Sequence, residues 1–337
     1  MTAAHARLTS DPTPPKPAGP RKRATPDLPP RADPPRARRR PRLLYIFAGP
    51  SSPLDGFATL AAAAGYDTTE IDLERGDPSH DLRKRENRER LLRELRAGDY
   101  AAVLVATPCT TFSVAHGNRT DGSFQHGLRS ARYPSGPEWL DEGTRRLVDE
   151  HDTLVAFSAE VLGAALDLDI DFVLENPAPR DDPSLDSYWP QRAHLLQIWD
   201  TEPIRALRAR ARHAASLIVV PQCAFGPTPS GKLFQKYTGL LASRRAAARL
   251  ADLRFLKCNH ARHDDLACGD NASLAAAYPT ALNDALVYAL TGARRTTPLP
   301  RARAAVDPAA RGDQSAAGLF FQGSPARHQH APPACSG

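Results

Sequence analysis

From about residue 42 to residue 293, short apolar runs alternate with stretches of helical period. Residues 43–47 (Leu-Leu-Tyr-Ile-Phe), 68–72, 101–106, 172–174 and 216–220 have strand length and are rich in aliphatic and β-branched side chains. Runs that are apolar at nearly every position suit strands covered on both faces. Residues 53–64 put Leu54, Phe57, Leu60 and Ala61 on one helical face, with Ser52 as N-cap, Pro53 at the first helical position and Gly65 as the stop. Residues 86–97 turn Leu91, Leu92 and Leu95 inward, and residues 141–166 read as a long helix. This alternation predicts an α/β domain built on a doubly wound, mostly parallel sheet, and no internal repeat interrupts it.

Composition separates that body from its flanks. Residues 1–41 are rich in Pro, Ala and Arg and hold ten Lys/Arg against three Asp. That stretch alone carries more positive charge than the +6 of the whole chain, so the remainder is close to neutral. Segments of this kind bury too little apolar surface to offset chain entropy, so residues 1–41 and 294–337 are expected to be disordered tails. The run Pro35-Arg36-Ala37-Arg38-Arg39-Arg40-Pro41-Arg42 reads equally as a solvated linker or as a functional basic segment, either a nuclear signal or a phosphate-binding arm. No stretch approaches ~20 uninterrupted apolar residues, and the first residues lack a signal-peptide core. The expectation is an intracellular protein without a membrane span, with nucleus and cytoplasm not distinguished.

The five cysteines, Cys109, Cys223, Cys258, Cys268 and Cys335, are few, odd in number and scattered. They point to thiol or metal chemistry rather than to a secreted disulfide framework. Cys109 follows the apolar run 101–106 directly, as Thr107-Pro108-Cys109-Thr110-Thr111-Phe112-Ser113. Open α/β sheets bind ligands at the carboxyl ends of their strands, which is where this thiol is expected. Glu175 ends a second such run, Phe172-Val173-Leu174-Glu175-Asn176-Pro177. A carboxyl group there is placed to hold and deliver a proton. The small residues Ala48, Gly49, Ser51 and Ser52 after the first strand would let a ligand approach the backbone, and Asp72 at the end of the second strand would accept from a ribose. Asp81 is a candidate for the adenine side of the same pocket. Cys223, Cys258, His260, His263 and Cys268 form a second cluster, in which Cys258-x-His260-x-x-His263 offers a partial zinc set that Cys223 could complete. Their spacing is not that of a standard finger, and a His-rich polar loop with two buried cysteines is the favoured reading, with no metal.

Phe47-Ala48-Gly49, Asp55-Gly56, His80-Asp81-Leu82, Pro108-Cys109 with Thr111-Phe112-Ser113, Leu128-Arg129-Ser130 and Glu175-Asn176-Pro177 stand in this order. Gln222-Cys223-Ala224-Phe225-Gly226 and Lys236-Tyr237-Thr238 follow. Over about residues 43–290 this series resembles the ordered motifs of C5-cytosine DNA methyltransferases, in the compact, divergent form found in viruses and mobile elements. The resemblance implies a Rossmann-like methyltransferase fold, S-adenosylmethionine as cofactor and DNA as partner. It implies Cys109 as nucleophile toward cytosine C6 and Glu175 as the acid at N3. Phe47, Gly49, Asp72 and Asp81 match the cofactor motifs, and Pro108, Ser113, Asn176, Arg129 and Lys236 fall at the base. Ser51 replaces a usual glycine and Thr107 a common proline. The family's Gln-x-Arg-x-Arg motif has no match, and Arg129, Arg208 or Lys236 are the candidates to stand in for it. The short interval from Glu175 to Gln222 leaves no room for a large target-recognition domain.

Two other classes stay open. One is a catalytically weak or inactive module of the same fold that binds nucleic acid or a partner. The other is a methylase of RNA or of adenine amino groups, but Thr-Pro-Cys-Thr lacks the acid- or Asn-led Pro-Pro-aromatic turn such enzymes carry.

Overall fold

Six strands form one sheet in a computed structural model that describes residues 39–50, 56–113, 127–260, 262–266 and 274–297. The strands are β1 (Arg42–Ile46), β2 (Asp67–Ile71), β3 (Ala102–Ala106), β4 (Asp171–Pro177), β5 (Ala215–Pro221) and β7 (Tyr237–Ser243). Their order is β2-β1-β3-β4-β7-β5. β1 pairs in parallel with β2 and β3, and β3 with β4, whereas β7 runs antiparallel to both β4 and β5. The sheet is therefore mixed and mostly parallel, with β7 the reversed strand. A separate two-stranded ladder joins β6 (Phe234–Gln235) to β8 (Asp265–Leu266).

Alternation along the central strands explains why both faces are covered. Leu44 and Ile46, Val103 and Val105, and Phe172 and Leu174 pack into one apolar cluster. That cluster takes in residues of α2 (Arg85–Arg96), α3 (Glu142–Asp167) and α4 (Glu202–Arg210). Leu43 and Tyr45, Ala102 and Leu104, and Val173 face the other way. They meet α1 (Phe57–Ala63), α5 (Arg244–Arg249) and α6 (Thr280–Thr291). α2 buries Leu91, Leu92 and Leu95, as its periodicity requires. α3 begins one residue after its cap, where the Asp141 carboxylate accepts from the Thr144 N–H at 3.0 Å.

The start of the first helix is a correction. The described helix begins at Phe57 with Gly56 as N-cap, not at residue 53. Residues 51–55, with the proposed Ser52 cap, lie outside the described residues, as do residues 1–38, Cys268, Cys335 and residues 298–337. The described residues from Arg40 on belong to one compact unit.

Strand order locates the crevice. The chain steps from β1 to β2 on one side and then returns past β1 to β3 on the other. Connections leaving β1 and β3 therefore diverge, the topology at which open α/β sheets bind ligands beyond the strands' carboxyl ends. Phe47 to Gly49 leave β1 at this point, and Cys109 lies three residues beyond β3. The end of β4 is held from behind: the Trp199 indole N–H donates to the Pro177 carbonyl at 2.7 Å. Gly239, opposite Asn176 in the β4–β7 register, has no side chain because a Cβ there would come within 2.7 Å of that indole.

Candidate active site

The β3–β4 register sets Ala106 opposite Glu175. Adjacent strands are about 4.8 Å apart, so the thiol turn and the carboxylate leave the sheet side by side. Asn176 fastens them together, its side-chain amide donating to the Thr107 carbonyl at 2.8 Å. The Thr107 hydroxyl donates in turn to Ser158 of α3 at 2.8 Å. Asn176 is thus a buried tie between the two reactive segments. Pro108 then leads into a 3₁₀ turn, Thr110–Phe112, capped by Cys109. Cys109 is a free, half-buried cysteine. Burial of its surroundings pushes the thiol above its ordinary value, Lys236 opposes that rise and Glu175 adds to it.

Two guanidinium groups bracket the thiol turn. Arg129 is 2 % exposed and lies over the Phe112 ring, 4.3 Å from its centroid. It donates to the Thr111 hydroxyl at 3.0 Å, the Pro134 carbonyl at 3.0 Å and the Val148 carbonyl at 2.7 Å, and it pairs with Asp152. Since Thr111 accepts from Arg129, its own proton is free to face His151 Nδ1, 3.1 Å away. Arg129, expected at the base, is instead occupied in fixing the turn to α3. Arg180, just beyond β4, ties the turn to the 192–196 segment, donating to the carbonyls of Phe112, Arg192, Leu195 and Leu196 at 3.2–3.4 Å. Burial lowers its pKa to about 10. Arg208 is exposed on α4.

Replacing Arg129 with methionine keeps the stem and removes the donors, leaving the Thr111 hydroxyl and two carbonyls without them. The expected loss is about 3 kcal/mol, read from urea unfolding, because each buried polar group left unpaired costs about 1–3 kcal/mol and the losses are not additive. Asp152→Asn is expected to cost no more than about 1 kcal/mol, since that carboxylate is 39 % exposed. Equal losses for the two variants would show that the ion pair, not the turn, carries the effect.

Glu175 is 6 % exposed and closes a chain of buried donors. Gln222 donates to the Thr238 hydroxyl at 2.6 Å, and Thr238 donates to Glu175 Oε1 at 3.2 Å. The Tyr278 phenol also donates to Glu175, with the Tyr45 phenol beside it. Burial, with the negative charge of Glu175 next, raises both phenols well above their ordinary value and keeps them protonated. Nothing in the local sequence around Glu175 pointed to Tyr45, Thr238 or Tyr278. Thr238 stands in the Lys236-Tyr237-Thr238 motif, and Tyr45 is a lone phenol among the apolar residues of β1, whereas Tyr278 carried no signal. Lys236 precedes β7 and donates to the Ala275 carbonyl at 3.3 Å. Ser113 ends the thiol turn, its N–H donating to the Thr110 carbonyl at 3.3 Å.

The β1 turn is held in an uncommon conformation. Phe47 has φ of 61° and Gly49 has φ of 71°. A non-glycine residue at positive φ costs of order 1 kcal/mol and persists only where its surroundings impose it. Here the N–H groups of Phe47 and Ala48 both donate to Ile71, and the Gly49 N–H donates to Asp72 Oδ2 at 2.7 Å. Asp72 Oδ1 accepts from the Glu74 N–H at 2.9 Å. A carboxylate offers about four acceptor positions, so Asp72 retains capacity for a further donor. Among the described residues, nothing beyond its own chain neighbours lies within 4 Å of where a Cβ on Gly49 would be. Asp81 differs: its carboxylate takes three bonds of 2.8–3.1 Å from Arg83, which hold it below its usual range.

Cys223, Cys258, His260 and His263 come together, although sequence spacing favoured an unliganded loop. One donor atom from each lies within 4.8 Å of all the others.

The raised thiol predicts that alkylation of Cys109 by iodoacetamide keeps accelerating above pH ~8.5, the ordinary thiol midpoint. Lys236→Gln is expected to move that midpoint further up, since it removes the cation favouring the thiolate. Mass spectrometry of the Cys109 peptide across pH would reveal it, and a midpoint below that of a free thiol would contradict the assignment.

Compared with protein-family models, curated proteins and solved structures, the chain matches none of them. No helix among the described residues is long and apolar enough to cross a membrane.

Proposed function

We propose that this chain methylates C5 of cytosine in DNA, using S-adenosylmethionine, Cys109 as nucleophile and Glu175 as the acid at N3. The observation that carries this reading is the shared frame of Cys109 and Glu175: adjacent parallel strands, Ala106 opposite Glu175, and the Asn176–Thr107 tie beside the β1–β3 crevice.

The chemistry needs both groups. Attack by the Cys109 thiolate forms a sulfur–C6 bond, and the C5–C6 π pair shifts to C5. Glu175, held by Thr238 and Tyr278, accepts from the cytosine amino group and keeps a proton at N3, which draws electron density toward that nitrogen. With the cofactor bound, C5 would take the methyl group as the sulfonium–methyl bond breaks and a neutral thioether leaves; transfer of the C5 proton to water would then return the electron pair and expel the thiolate. Within a duplex the base must first leave the stack. The basic residues of 1–41 would add phosphate contacts of the sequence-independent kind.

S-adenosylmethionine, when bound, supplies an electrophilic methyl group. The β1 turn suits such a ligand: space beside Gly49 among the described residues, the half-buried Phe47 ring, and spare acceptor capacity on Asp72 for a ribose hydroxyl. Asp81 does not fit as an adenine partner while Arg83 occupies it.

One set of observations favours the second reading, a binding module of low activity. The thiol is raised rather than lowered, and Arg129 and Arg180 are both engaged in holding the turn. The test is DNA carrying 5-fluorocytosine, incubated with the full chain and methyl-labelled cofactor. Fluorine cannot leave as the proton does, so a denaturant-stable, labelled adduct is expected on the Cys109 peptide. Methyl transfer without that adduct, or an adduct on another residue, would refute the mechanism, and absence of cofactor binding would establish the module.

A further inference from the structure

We propose that Cys223, Cys258, His260 and His263 form a structural zinc site that holds the back of the Glu175 network in place. The donor set is two thiols and two imidazoles, the composition of closed tetrahedral zinc sites. Zinc–sulfur bonds of about 2.3 Å and zinc–nitrogen bonds of about 2.0 Å put tetrahedral ligands roughly 3.3–3.8 Å apart. Cys258 Sγ lies 3.3 Å from His263 Nε2 and 3.7 Å from His260 Nδ1, both within that range. All four donor atoms fall within 4.8 Å of one another, so the widest pair needs to close by about 1 Å. Two thiolates would balance the dication. Four protein ligands leave no position for water, which marks the site as structural rather than catalytic.

The sequence distances make the cluster informative. Cys258, His260 and His263 are near neighbours in one loop, but Cys223 comes from a 3₁₀ turn, Gln222–Phe225, that follows β5. Folding has brought a buried cysteine to three soft or borderline donors 35 or more positions away. The loop is also placed with care: the Leu233 N–H donates to Asp264 at 2.6 Å and the Asp264 N–H donates to the Leu233 carbonyl at 3.0 Å, next to the β6–β8 ladder.

The position gives the metal a task. Gln222, the residue before Cys223, starts the relay through Thr238 to Glu175. A zinc ion bound to Cys223 would fix the turn that aims Gln222, and so act as a positioning element for the acid. The site itself does not depend on the methyl-transfer reading, because its ligands are separate from Cys109 and Glu175.

The test uses full-length, tag-free protein purified under reducing conditions and reconstituted with zinc, with metal measured by mass spectrometry. About one tightly held zinc per chain is expected, with a lower melting temperature after chelation. Cys258→Ser and His263→Ala should each reduce the content at least tenfold, and Cys335→Ser should leave it unchanged. Cobalt in place of zinc should give the intense visible bands of a tetrahedral thiolate site, a readout on the unmutated chain that stands even if a variant fails to fold. A metal-free chain after reconstitution, zinc content indifferent to Cys258 and His263, a six-coordinate cobalt spectrum, or a Cys223–Cys258 disulfide in the reduced preparation would each overturn the proposal. None of these readouts uses methyl transfer, so the zinc site and the enzymatic reading fail separately.

Discussion

Cys109→Ser is expected to abolish the 5-fluorocytosine adduct and to slow methyl transfer by at least about 10⁴-fold. The substitution exchanges one atom and should leave the fold intact. Cys109 caps the Thr110–Phe112 turn, a position that serine tolerates well. Unfolding free energy and cofactor affinity should therefore match those of the unmutated chain, and the loss of rate is then chemical. An alkoxide is too scarce near neutral pH to replace a thiolate, even one whose formation is made harder by burial. Transfer that survived this change would rule out a covalent route through Cys109.

Glu175→Gln is expected to cost about 10³-fold in turnover, within the range of about 10²–10⁴ for loss of a placed acid or base. The glutamine carbonyl can still accept from either Thr238 or Tyr278, and its amino group then faces the other donor. That mismatch should cost about 1–2 kcal/mol of stability, small enough for the variant to fold. The decisive measurement is the rate of adduct formation. It should fall with turnover, because the proton held at N3 is needed for attack at C6 rather than for a later step. A variant that forms the adduct at the normal rate but turns over slowly would move Glu175 to the elimination step.

Much of this frame is legible in the chain itself, for reasons that differ from residue to residue. The β1, β3 and β4 runs are short and apolar at nearly every position, which at that length suits strands covered on both sides. The direction of β7 is a different matter. Leu240 to Ser243 are buried in a reversed strand, but periodicity carries no sense of direction, and the reversal comes from pairing with β4 and β5. Cys109 and Glu175 stand out because polar groups at the ends of buried runs are unusual. The roles of their neighbours do not. Arg129 is committed to Thr111 and Val148 by contacts spanning 18 and 19 positions, and Tyr278 meets Glu175 from more than 100 positions away. Asp81 looked available because Arg83, two residues on, need not fold back onto it; in the structure it does. The Cys-x-His-x-x-His part of the metal cluster is visible as spacing, whereas Cys223 becomes its fourth member only through the long-range packing of β5.

The bond from Asn176 to the Thr107 carbonyl also bears on how this site can change over generations of sequence. The thiol turn hangs from one strand and the acid from the next; the strand register sets them side by side, and this amide ties them directly. An inserted or deleted residue between positions 107 and 112 would carry the sulfur out of reach of the acid while leaving the sheet sound. The span should therefore accept exchanges of side chain far more readily than changes of length. A library of single-residue insertions scored for folding and for adduct formation would draw that boundary directly, with folded but unreactive members clustering in this one segment.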